Sequence, residues 1–408
     1  MFYIPSYIRE EQNENGLVLK SLLLENEICL NENKYIEEYQ NIRKNGTSQI
    51  VTELEKFLHE QEMLCDISCI KEINMKLQNI ISKKMILTLM PTEACNFRCP
   101  YCYEEHDNVH MTPGMISAIK RFVDKNIEYI DTLNISWFGG EPTLRRDIIK
   151  DVSEYVLEVI KKKNKMCMYA GSMTTNGYLL TSERVKEFWG YGIKCYQITL
   201  DGFNHDKTRP LVNGAPTLEV ILNNLKEISS LPEEYDFSII LRRNILPGDS
   251  TEWYNYLNKL FGNDRRFSLL VRAVSDWGGN NIRDMKILEE NEREHLLEEH
   301  KEYIKSLQIA SANKAIDEVW NPVNEMCYAA YPKSYVFRAN GDIEKCTISL
   351  GEKTNIIGYI DEKNDVQIDE EINRIWSREG SINCEECRNL LGCSRVKCPK
   401  VYVIEKTK

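Results

Sequence analysis

Three cysteines lie within eight positions of one another in the segment EACNFRCPYCYEEH, which covers residues 93–106. Cys95, Cys99 and Cys102 have the spacing C-x3-C-x2-C. Three thiolates are one ligand short of a closed four-thiolate metal site, so a small molecule could take the fourth position. The alternative interpretations are a zinc site with a remote fourth ligand and a set of buried free thiols.

The supply of other ligands narrows the choice of metal. The chain has six histidines against 14 cysteines, and no histidine pairs with a cysteine cluster at zinc-finger spacing. A metal held here is therefore held mainly by sulfur, which favours iron–sulfur clusters or zinc.

Targeting signals and charge bear on location and partners. The segment MFYIPSYIREEQ at the start lacks the layout of a signal peptide, and no apolar run approaches the roughly 18 residues that span a bilayer. We therefore expect a cytoplasmic protein with no membrane partner, whose cysteines serve metal binding or catalysis rather than disulfides.

The 408 residues include 63 acidic and 52 basic ones, a formal net charge of −11. Because a surface that follows a phosphate backbone needs a basic excess, no nucleic-acid partner is expected.

The elements that would position the cysteines begin at residue 84. Short β-rich runs alternate there with helical patterns, and the runs are KMILTLM, TLNISWF, MCMYAGSMTT, KCYQITL, DFSIILRR and FSLLVRAV. Helices are predicted over residues 112–130, 146–163, 181–191, 217–230 and 283–308. Six strands that alternate with helices predict an α/β fold of parallel βαβ units, too few to close an eight-stranded barrel. The prediction is a partial (β/α)6 barrel, open at its side, with the cysteine loop after its first strand, where such folds place their chemistry.

The regions on either side of the barrel are predicted as separate domains. In residues 1–80, GLVLKSLLLENEICL alternates like a hairpin and helical patterns follow, which predicts a small α+β, winged-helix-like domain. The barrel is assigned to residues 81–310. Residues 311–408 contain the hairpin pattern YVFRANGDIEKCTI and many cysteines, and they are predicted as a third, cysteine-rich domain.

The cysteine loop and a second motif together resemble the radical S-adenosylmethionine (SAM) superfamily. Cys95, Cys99 and Cys102 match its cluster motif, and Tyr101 occupies its aromatic position before the third cysteine. The family's GGEP motif follows the second predicted strand, as Gly139, Gly140, Glu141 and Pro142. The resemblance covers residues 84–275.

This resemblance implies a chemistry. A [4Fe–4S] cluster on the three cysteines would bind the amino and carboxylate groups of SAM. One electron, from a donor such as flavodoxin or ferredoxin, would cleave SAM to methionine and a 5'-deoxyadenosyl radical that abstracts hydrogen from the substrate. No catalytic base is assigned.

The resemblance also implies which residues contact SAM. The motifs TTNG and TLDG, the second continued by HDKTR, resemble SAM-contacting segments of peptide-acting members. The glycines of GGEP would let the backbone approach the cofactor, and Glu141 would orient near the SAM ammonium. The expected contacts are Tyr101, Gly139, Gly140, Glu141, Thr175, Asn176, Thr199 and Arg209. Arg243 and Asn244, after the fifth strand, are further candidates.

Six cysteines towards the other end of the chain resemble the SPASM extension of radical SAM enzymes, which carries auxiliary four-iron clusters. They are Cys327, Cys346, Cys384, Cys387, Cys393 and Cys398. The elements C-x13-G-x4-C and C-x2-C-x5-C fit that pattern, whereas the last spacing is x4 instead of the usual x3 and no seventh cysteine follows. By resemblance, Cys327, Cys346 and Cys398 would hold one auxiliary cluster with an open site. Cys384, Cys387 and Cys393 would hold a second.

Other ligand sets stay open for these cysteines. The four cysteines from Cys384 to Cys398 could instead bind one metal, or form a structural zinc knuckle. The five remaining cysteines are predicted as small buried hydrophobic residues: Cys29, Cys65, Cys69, Cys167 and Cys195.

Two SPASM branches suggest different substrates. Sulfatase maturases usually carry an aspartate after the second SPASM cysteine, whereas this chain has Thr347 after Cys346. The other branch modifies ribosomally made precursor peptides, and its members often grip a leader sequence as an added strand, for which residues 1–80 are suited. We therefore predict a peptide maturase that installs a thioether or carbon–carbon crosslink, with a precursor peptide as its partner. The alternatives are a formylglycine-forming sulfatase maturase and a non-catalytic iron–sulfur or zinc protein.

Overall fold

The computed structural model of the protein describes residues 1–5, 8–21, 26–278, 282, 285–311, 327–377 and 398–407. The chain divides into two compact units. One comprises Met1–Lys83, Val319–Lys333 and Glu370–Lys408, and the other comprises Lys84–Glu318 and Ser334–Asp369. The division into three domains remains a prediction.

The first unit opens with short strands and three helices. These are β1 (Phe2–Tyr3), β2 (Ile8–Asn13), β3 (Gly16–Ser21), β4 (Glu27–Leu30), α1 (Asn33–Asn45), α2 (Glu53–Glu60), β5 (Cys65–Asp66) and α3 (Ile67–Ser82). β3 pairs antiparallel with both β2 and β4, which confirms the predicted hairpin and adds a strand, β2, that was not foreseen. Helix α2 begins with a capping box in which the side chains of Thr52 and Glu55 each accept a backbone N–H of the other residue.

The second unit is built on strands that alternate with helices. Its elements are β6 (Lys84–Leu89), α4 (Pro113–Asn126), β7 (Thr132–Trp137), α5 (Arg146–Lys163), β8 (Met168–Thr175), α6 (Ser182–Gly190), β9 (Ile193–Thr199), α7 (His205–Thr208), α8 (Leu218–Ser229), β10 (Ser238–Ile245), α9 (Glu252–Phe261), β11 (Phe267–Ala273), α10 (Glu290–Lys305) and β12 (Ala310–Ser311). Strands β6 to β11 lie side by side in chain order, and each pairs parallel with the next. The predicted (β/α)6 alternation is confirmed.

Alternating side chains explain how these strands are covered. In β7, the buried residues Leu133, Ile135 and Trp137 alternate with the partly exposed Asn134 and Ser136. The apolar set faces the helical layer, as expected for a parallel sheet whose crossovers are helices. The polar set is left for the interior of the partial barrel.

A hairpin region continues the sheet beyond β6. It consists of β13 (Lys333–Phe337), β14 (Asp342–Glu344), β15 (Ile356–Ile360) and β16 (Val366–Ile368), and it is followed by α11 (Glu370–Ser377) and α12 (Pro399–Thr407). The antiparallel pairing of β13 with β14 confirms the predicted hairpin YVFRANGDIEKCTI. The sequence pattern did not reveal that this hairpin joins the barrel sheet.

Two details differ from expectation. Helix α10 begins at Glu290 rather than near residue 283, because Glu289 has an extended backbone with φ −63° and ψ 157°. Cys29 is exposed on the edge strand β4, so the prediction that it is a buried hydrophobic residue is wrong.

Among the described residues, no helix has the length and apolar character that a membrane crossing requires.

Candidate functional site

A cavity of about 330 Å³ opens at the carboxyl ends of the barrel strands. Its walls include all three clustered cysteines and seven of the eight residues predicted to contact SAM: Cys95, Cys99, Cys102, Tyr101, Gly139, Gly140, Thr175, Asn176, Thr199 and Arg209. The carboxyl ends of parallel strands lie at one edge of a sheet, so residues far apart in sequence meet there. The eighth residue, Glu141, is not part of the lining.

The cysteine loop follows the carboxyl end of β6 and is held there by backbone hydrogen bonds to a segment distant in sequence. The N–H of Arg98 donates to the carbonyl of Pro210 at 2.9 Å, and the N–H of Val212 donates to the carbonyl of Asn96 at 3.0 Å. Within the loop, the N–H of Cys102 donates to the carbonyl of Cys99 at 3.0 Å. The loop is therefore fixed in place by the segment that follows the TLDG motif.

The three thiols are well shielded from water. Burial raises the pKa of Cys95 to about 12 and raises the pKa values of Cys99 and Cys102. Thiols in this setting stay protonated unless a bound metal ion takes the place of their protons. Within the described ranges, no three His, Cys, Asp or Glu side chains are gathered closely enough to hold a metal ion. The arrangement fits a cluster that draws three neighbouring thiolates together as it binds.

Gly140 brings the GGEP loop against the cysteine loop. Its φ is +50°, and a Cβ at this position would lie 2.2 Å from the carbonyl oxygen of Ala94. Its N–H donates to the carboxylate of Glu104 at 2.7 Å. The sequence prediction attributed this glycine to close approach of the cofactor, whereas the described contact is with the residue before Cys95.

Glu141 is fully buried and its carboxylate organises the end of β8. The carboxylate accepts the N–H and the hydroxyl of Thr143 at 3.1 and 2.6 Å, the hydroxyl of Thr175 at 2.7 Å and the N–H of Asn176 at 2.7 Å. These four bonds occupy the carboxylate inside the protein. Direct contact with the SAM ammonium therefore stays a prediction, and the geometry favours a positioning role.

Tyr101 is the centre of a second buried network. Its hydroxyl donates to the carboxylate of Asp201 and accepts from Nη1 of Arg209 at 2.9 Å. Thr208 donates to the same carboxylate at 2.8 Å, and Asn244 donates to it at 3.4 Å. Burial raises the pKa of Tyr101, so this hydroxyl keeps its proton. The network ties the cysteine loop to the ends of β9 and β10.

The remaining predicted residues are distributed around these networks. Nδ2 of Asn176 donates to Oδ1 of Asn96 at 2.8 Å, which links TTNG to the cysteine loop. Thr199 is largely buried in the wall. Asn244 also lines the cavity, whereas Arg243 does not and instead donates to the carbonyl of Ser250 at 2.7 Å.

Sequence reasoning missed four residues at this site. Glu104 and Asp201 anchor the two networks, and Arg242 and Arg272 line the cavity. Asp201 belongs to the predicted SAM-contacting motif TLDG. Arg242 belongs to LRRN, from which the prediction selected Arg243 and Asn244 instead. Arg272 had no signal, because a single arginine near a strand end is usually a surface charge.

The SPASM-like cysteines fall in different parts of the chain. Cys346 follows β14 in a buried loop, where Oδ1 of Asn355 accepts its N–H at 2.8 Å. Cys327 precedes a short 3-10 turn and Cys398 precedes α12. Cys384, Cys387 and Cys393 lie outside the described residues, so their predicted ligand roles remain predictions.

Arg338 connects the Cys346 loop with the cysteine loop of the barrel. Its guanidinium donates to both carboxylate oxygens of Glu93 at 2.8 and 2.9 Å, and to Glu344 at 3.2 Å. Glu93 stands two residues before Cys95, and Glu344 stands two residues before Cys346. One partly buried side chain thus bridges the two loops.

The comparison with known proteins agrees with this geometry. Residues 89–249 match the radical SAM superfamily. This region is a radical SAM domain. The predicted resemblance to that superfamily is confirmed for residues 89–249, which include the cysteine loop, GGEP, TTNG and TLDG.

Curated relatives match this chain over less than half of its length. The GTP 3',8-cyclase of Campylobacter jejuni subsp. doylei is 28% identical over 169 residues, which is 39% of this chain and 48% of that protein. The GTP 3',8-cyclase of Aliarcobacter butzleri is 32% identical over 155 residues, 36% of this chain and 43% of that protein. The chain thus spans about half the length of the curated relatives that it matches.

Two solved structures share the fold over more of the chain. anSMEcpe with bound AdoMet and Cp18Cys peptide superposes with a TM-score of 0.53 and 17% identity, over 77% of this chain and 89% of that one. Streptococcus suis SuiB bound to precursor peptide SuiA superposes with a TM-score of 0.50 and 16% identity, over 97% and 91%. At these identities the likeness establishes the fold.

Membership of the superfamily implies SAM and one [4Fe–4S] cluster, and the described residues fit both. Three thiols on one loop suit three irons of a cluster. Nε of Arg209 is buried beside the cavity and has no hydrogen-bond partner among the described residues. When bound, the group supplies a 5'-deoxyadenosyl radical. The protein would contribute the three thiolates and the loop positions fixed by Glu104 and Glu141.

Proposed function

We propose that the protein is a radical SAM/SPASM maturase that modifies a ribosomally made precursor peptide. The observation that carries the proposal is the combination, in one chain, of a radical SAM cavity and a small sheet with an exposed edge strand. The fold shared with two structures that contain peptides supports it. The product is a thioether or carbon–carbon crosslink, formed after hydrogen abstraction, with a flavodoxin or ferredoxin as the electron donor.

The leader sequence is proposed to bind along β4. Among the strands that the structure describes, β4 pairs with β3 alone. A cavity of about 500 Å³ lies beside β4, lined by Ile28, Tyr35 and Phe57 among others. The N–H of Ser21 donates to the carbonyl of Asn26 at 2.9 Å. Because hydrogen-bonded pairs alternate along antiparallel strands, the N–H of Cys29 then faces away from β3 and is available to an added strand.

The auxiliary cysteines are proposed to serve the same reaction. Cys346 is buried, and Arg338 connects its loop to the radical SAM loop through hydrogen bonds to Glu344 and Glu93. An auxiliary cluster with an open iron could bind a substrate thiolate, as thioether formation requires. Thr347 stands where sulfatase maturases usually carry an aspartate, so formylglycine formation is the alternative within the same fold.

The main test uses the triple variant Cys95→Ala, Cys99→Ala and Cys102→Ala. We expect it to contain about four fewer irons per chain and to form no 5'-deoxyadenosine from SAM under reducing conditions. Cys195→Ala, a cysteine outside the cavity lining, is the matched control and should retain both properties. Production of 5'-deoxyadenosine by the triple variant would contradict the assignment of the cluster ligands.

The substrate class is tested separately, with short peptides encoded beside the gene. The wild type should convert one of them to a product lighter by a pair of hydrogens, and mass spectrometry of that product locates the crosslink. Cys29→Pro should weaken binding of that peptide by about tenfold, because proline removes the outward N–H, whereas Cys29→Ala should not. Equal binding by the two variants would exclude strand addition at β4.

The curated relatives supply a competing substrate. Two of them are named GTP 3',8-cyclases, and they match 39% and 36% of this chain. GTP is therefore included in the same assay. Consumption of GTP, with no change in any peptide, would replace the peptide-maturase proposal by a nucleotide-cyclising one.

A further inference from the structure

Two arginines face the radical SAM cavity without an acidic partner. Arg242 is on β10 and Arg272 is on β11, and both line the cavity. Asn244, which pairs in register with Arg272, is two residues after Arg242 on the same face of β10. The two guanidinium groups are therefore neighbours on one wall.

Their contacts with the protein are few. Nε of Arg242 donates to Oδ1 of Asn244 at 2.8 Å, and Nη1 of Arg272 reaches only the carbonyl of Val271 at 3.4 Å. Neither arginine forms an ion pair with any residue that the structure describes. By contrast, the partly buried Arg338 and Arg266 at other places in this unit both pair with carboxylates.

The nearby carboxylates are already engaged. Asp201 accepts hydrogen bonds from Tyr101, Thr208 and Asn244. Glu104 accepts the N–H of Gly140 on the other side of the cavity lining. Neither carboxylate forms an ion pair with Arg242 or Arg272, although the charge of Asp201 raises the pKa of Arg242.

Arg242 is partly buried, whereas Arg272 is exposed at the cavity wall. Burial lowers the pKa of Arg242, nearby Tyr101, Tyr103 and Asp201 oppose that shift, and the charge of Arg272 adds to it. Two neighbouring guanidinium groups on a cavity wall, neither of which forms an ion pair with a described residue, are suited to bind an anionic ligand. Guanidinium groups match the planar, two-oxygen geometry of a carboxylate.

We propose that Arg242 and Arg272 form a specificity subsite that binds a carboxylate side chain of the substrate peptide. The subsite rests on the proposed function, since it assumes a peptide substrate. It selects a glutamate or aspartate close to the residue that loses hydrogen and so fixes the register of the peptide in the cavity. The carboxylate of SAM and the phosphates of a nucleotide are the competing anions, and the experiment separates them.

The experiment measures binding by calorimetry to oxidised, anaerobic holoenzyme that contains SAM, so that no electron is available for cleavage. The probes are acetylated pentapeptide amides that contain one cysteine and one glutamate at each possible position, with glutamine counterparts. The variants are Arg242→Gln, Arg272→Gln and the double change. Arg265→Gln, at an arginine whose side chain is 85% exposed, is the matched control.

We expect the wild type and Arg265→Gln to bind at least one glutamate peptide about tenfold more tightly than its glutamine counterpart. The double variant should lose this preference, whereas its iron content should equal that of the wild type. The absence of any glutamate preference in the wild type, or its persistence in the double variant, overturns the proposal.

Two further outcomes would reassign the arginines. A loss of SAM affinity of about tenfold or more in the double variant would assign them to the SAM carboxylate. Binding of GTP that depends on them would assign them to phosphate. The proposed function fails separately: a glutamate preference with no modification of any precursor contradicts peptide maturation alone, and a modified precursor without the preference contradicts the subsite alone.

Discussion

At the scale of single residues, Glu141 has an internal role that its motif did not reveal. GGEP is a cofactor motif, yet the Glu141 carboxylate accepts four hydrogen bonds from Thr143, Thr175 and Asn176 and lies outside the cavity lining. It places the SAM-facing ends of two loops relative to one another. We therefore predict that Glu141 affects cofactor binding through its neighbours.

Glu141→Gln tests this role. Glutamine keeps the size of the side chain but turns one acceptor oxygen into a donor, which faces either the N–H of Asn176 or the donors of Thr143 and Thr175. We expect about 1–3 kcal/mol less stability for each buried donor left unpaired. Urea unfolding should show the lower stability, and SAM should bind more weakly. Glu128→Gln, on the 3-10 turn Ile127–Tyr129, should change neither stability nor SAM affinity. Unchanged stability in Glu141→Gln would show that the four bonds are not important for this loop.

His205 gives a pH prediction at the same scale. It is fully buried, its Nδ1 accepts the N–H of Asp201 at 3.2 Å, and its Nε2 has no partner among the described residues. Burial, with the nearby charge of Arg209, lowers its pKa from 6.5 to about 4. The unfolded chain therefore binds the proton first, and stability is lost as pH falls from about 6.5 towards about 4.

We expect this histidine to reduce the free energy of unfolding by about 2 kcal/mol between roughly pH 7.5 and pH 5. The measurement is urea unfolding in the background of the triple cysteine variant, so that acid release of that cluster does not contribute. His205→Gln should show a flatter pH profile over the same range. Parallel profiles for the two proteins would mean that the folded protein admits the proton without penalty.

At the scale of elements, the carboxyl-terminal hairpin is attached to the barrel by charge as well as by strand pairing. Arg338 lies in the turn between β13 and β14 and bridges Glu93 and Glu344, both of which are buried. Burial raises the pKa of Glu344 to about 6, which is the cost of placing this carboxylate inside the protein. The bridge gives the two cysteine loops a common support.

Removing the bridge should affect both loops together. Arg338→Ala leaves two buried carboxylates without their cation, and we expect about 3–5 kcal/mol less stability. Iron content and the rate of cluster loss in air should both respond. Lys162→Ala, which removes the exposed ion pair of Lys162 with Glu158, is the control and should leave stability almost unchanged. A variant with normal iron content and stability would show that strand pairing alone fixes the loops.

At the scale of the whole molecule, metal content decides how many clusters the nine candidate cysteines hold. Iron, sulfide and zinc are measured per chain in anaerobically prepared protein. We expect about 12 irons, which means one radical SAM cluster and two auxiliary clusters. About eight irons would mean one auxiliary cluster, and about four irons with one zinc would make the carboxyl-terminal cysteines structural. In the last case, thiolate capture by an auxiliary cluster is excluded.

Local patterns determined much of this protein. The strands β6 to β11, the helices between them and the cap at Thr112, whose hydroxyl accepts the N–H of Met115 at 3.3 Å, follow from periodicity and capping residues within short windows. The three cysteines and GGEP indicated the chemistry because the ligand spacing on one loop is itself a local property. Parallel strands then place all such loops at one edge, which explains why the predicted cavity residues meet.

The tertiary structure decided what depends on partners distant in the chain. The role of Glu141, the pairing of Arg338 with Glu93 across 245 positions and the unpaired state of Arg242 and Arg272 are properties of neighbours, not of spacing. The same holds for β13, which joins the barrel sheet beside β6. A charged residue has the same letter in a sequence whether it is paired or free. Whether a charged side chain stabilises the fold or can bind a ligand depends on which groups the fold brings within hydrogen-bonding distance of it.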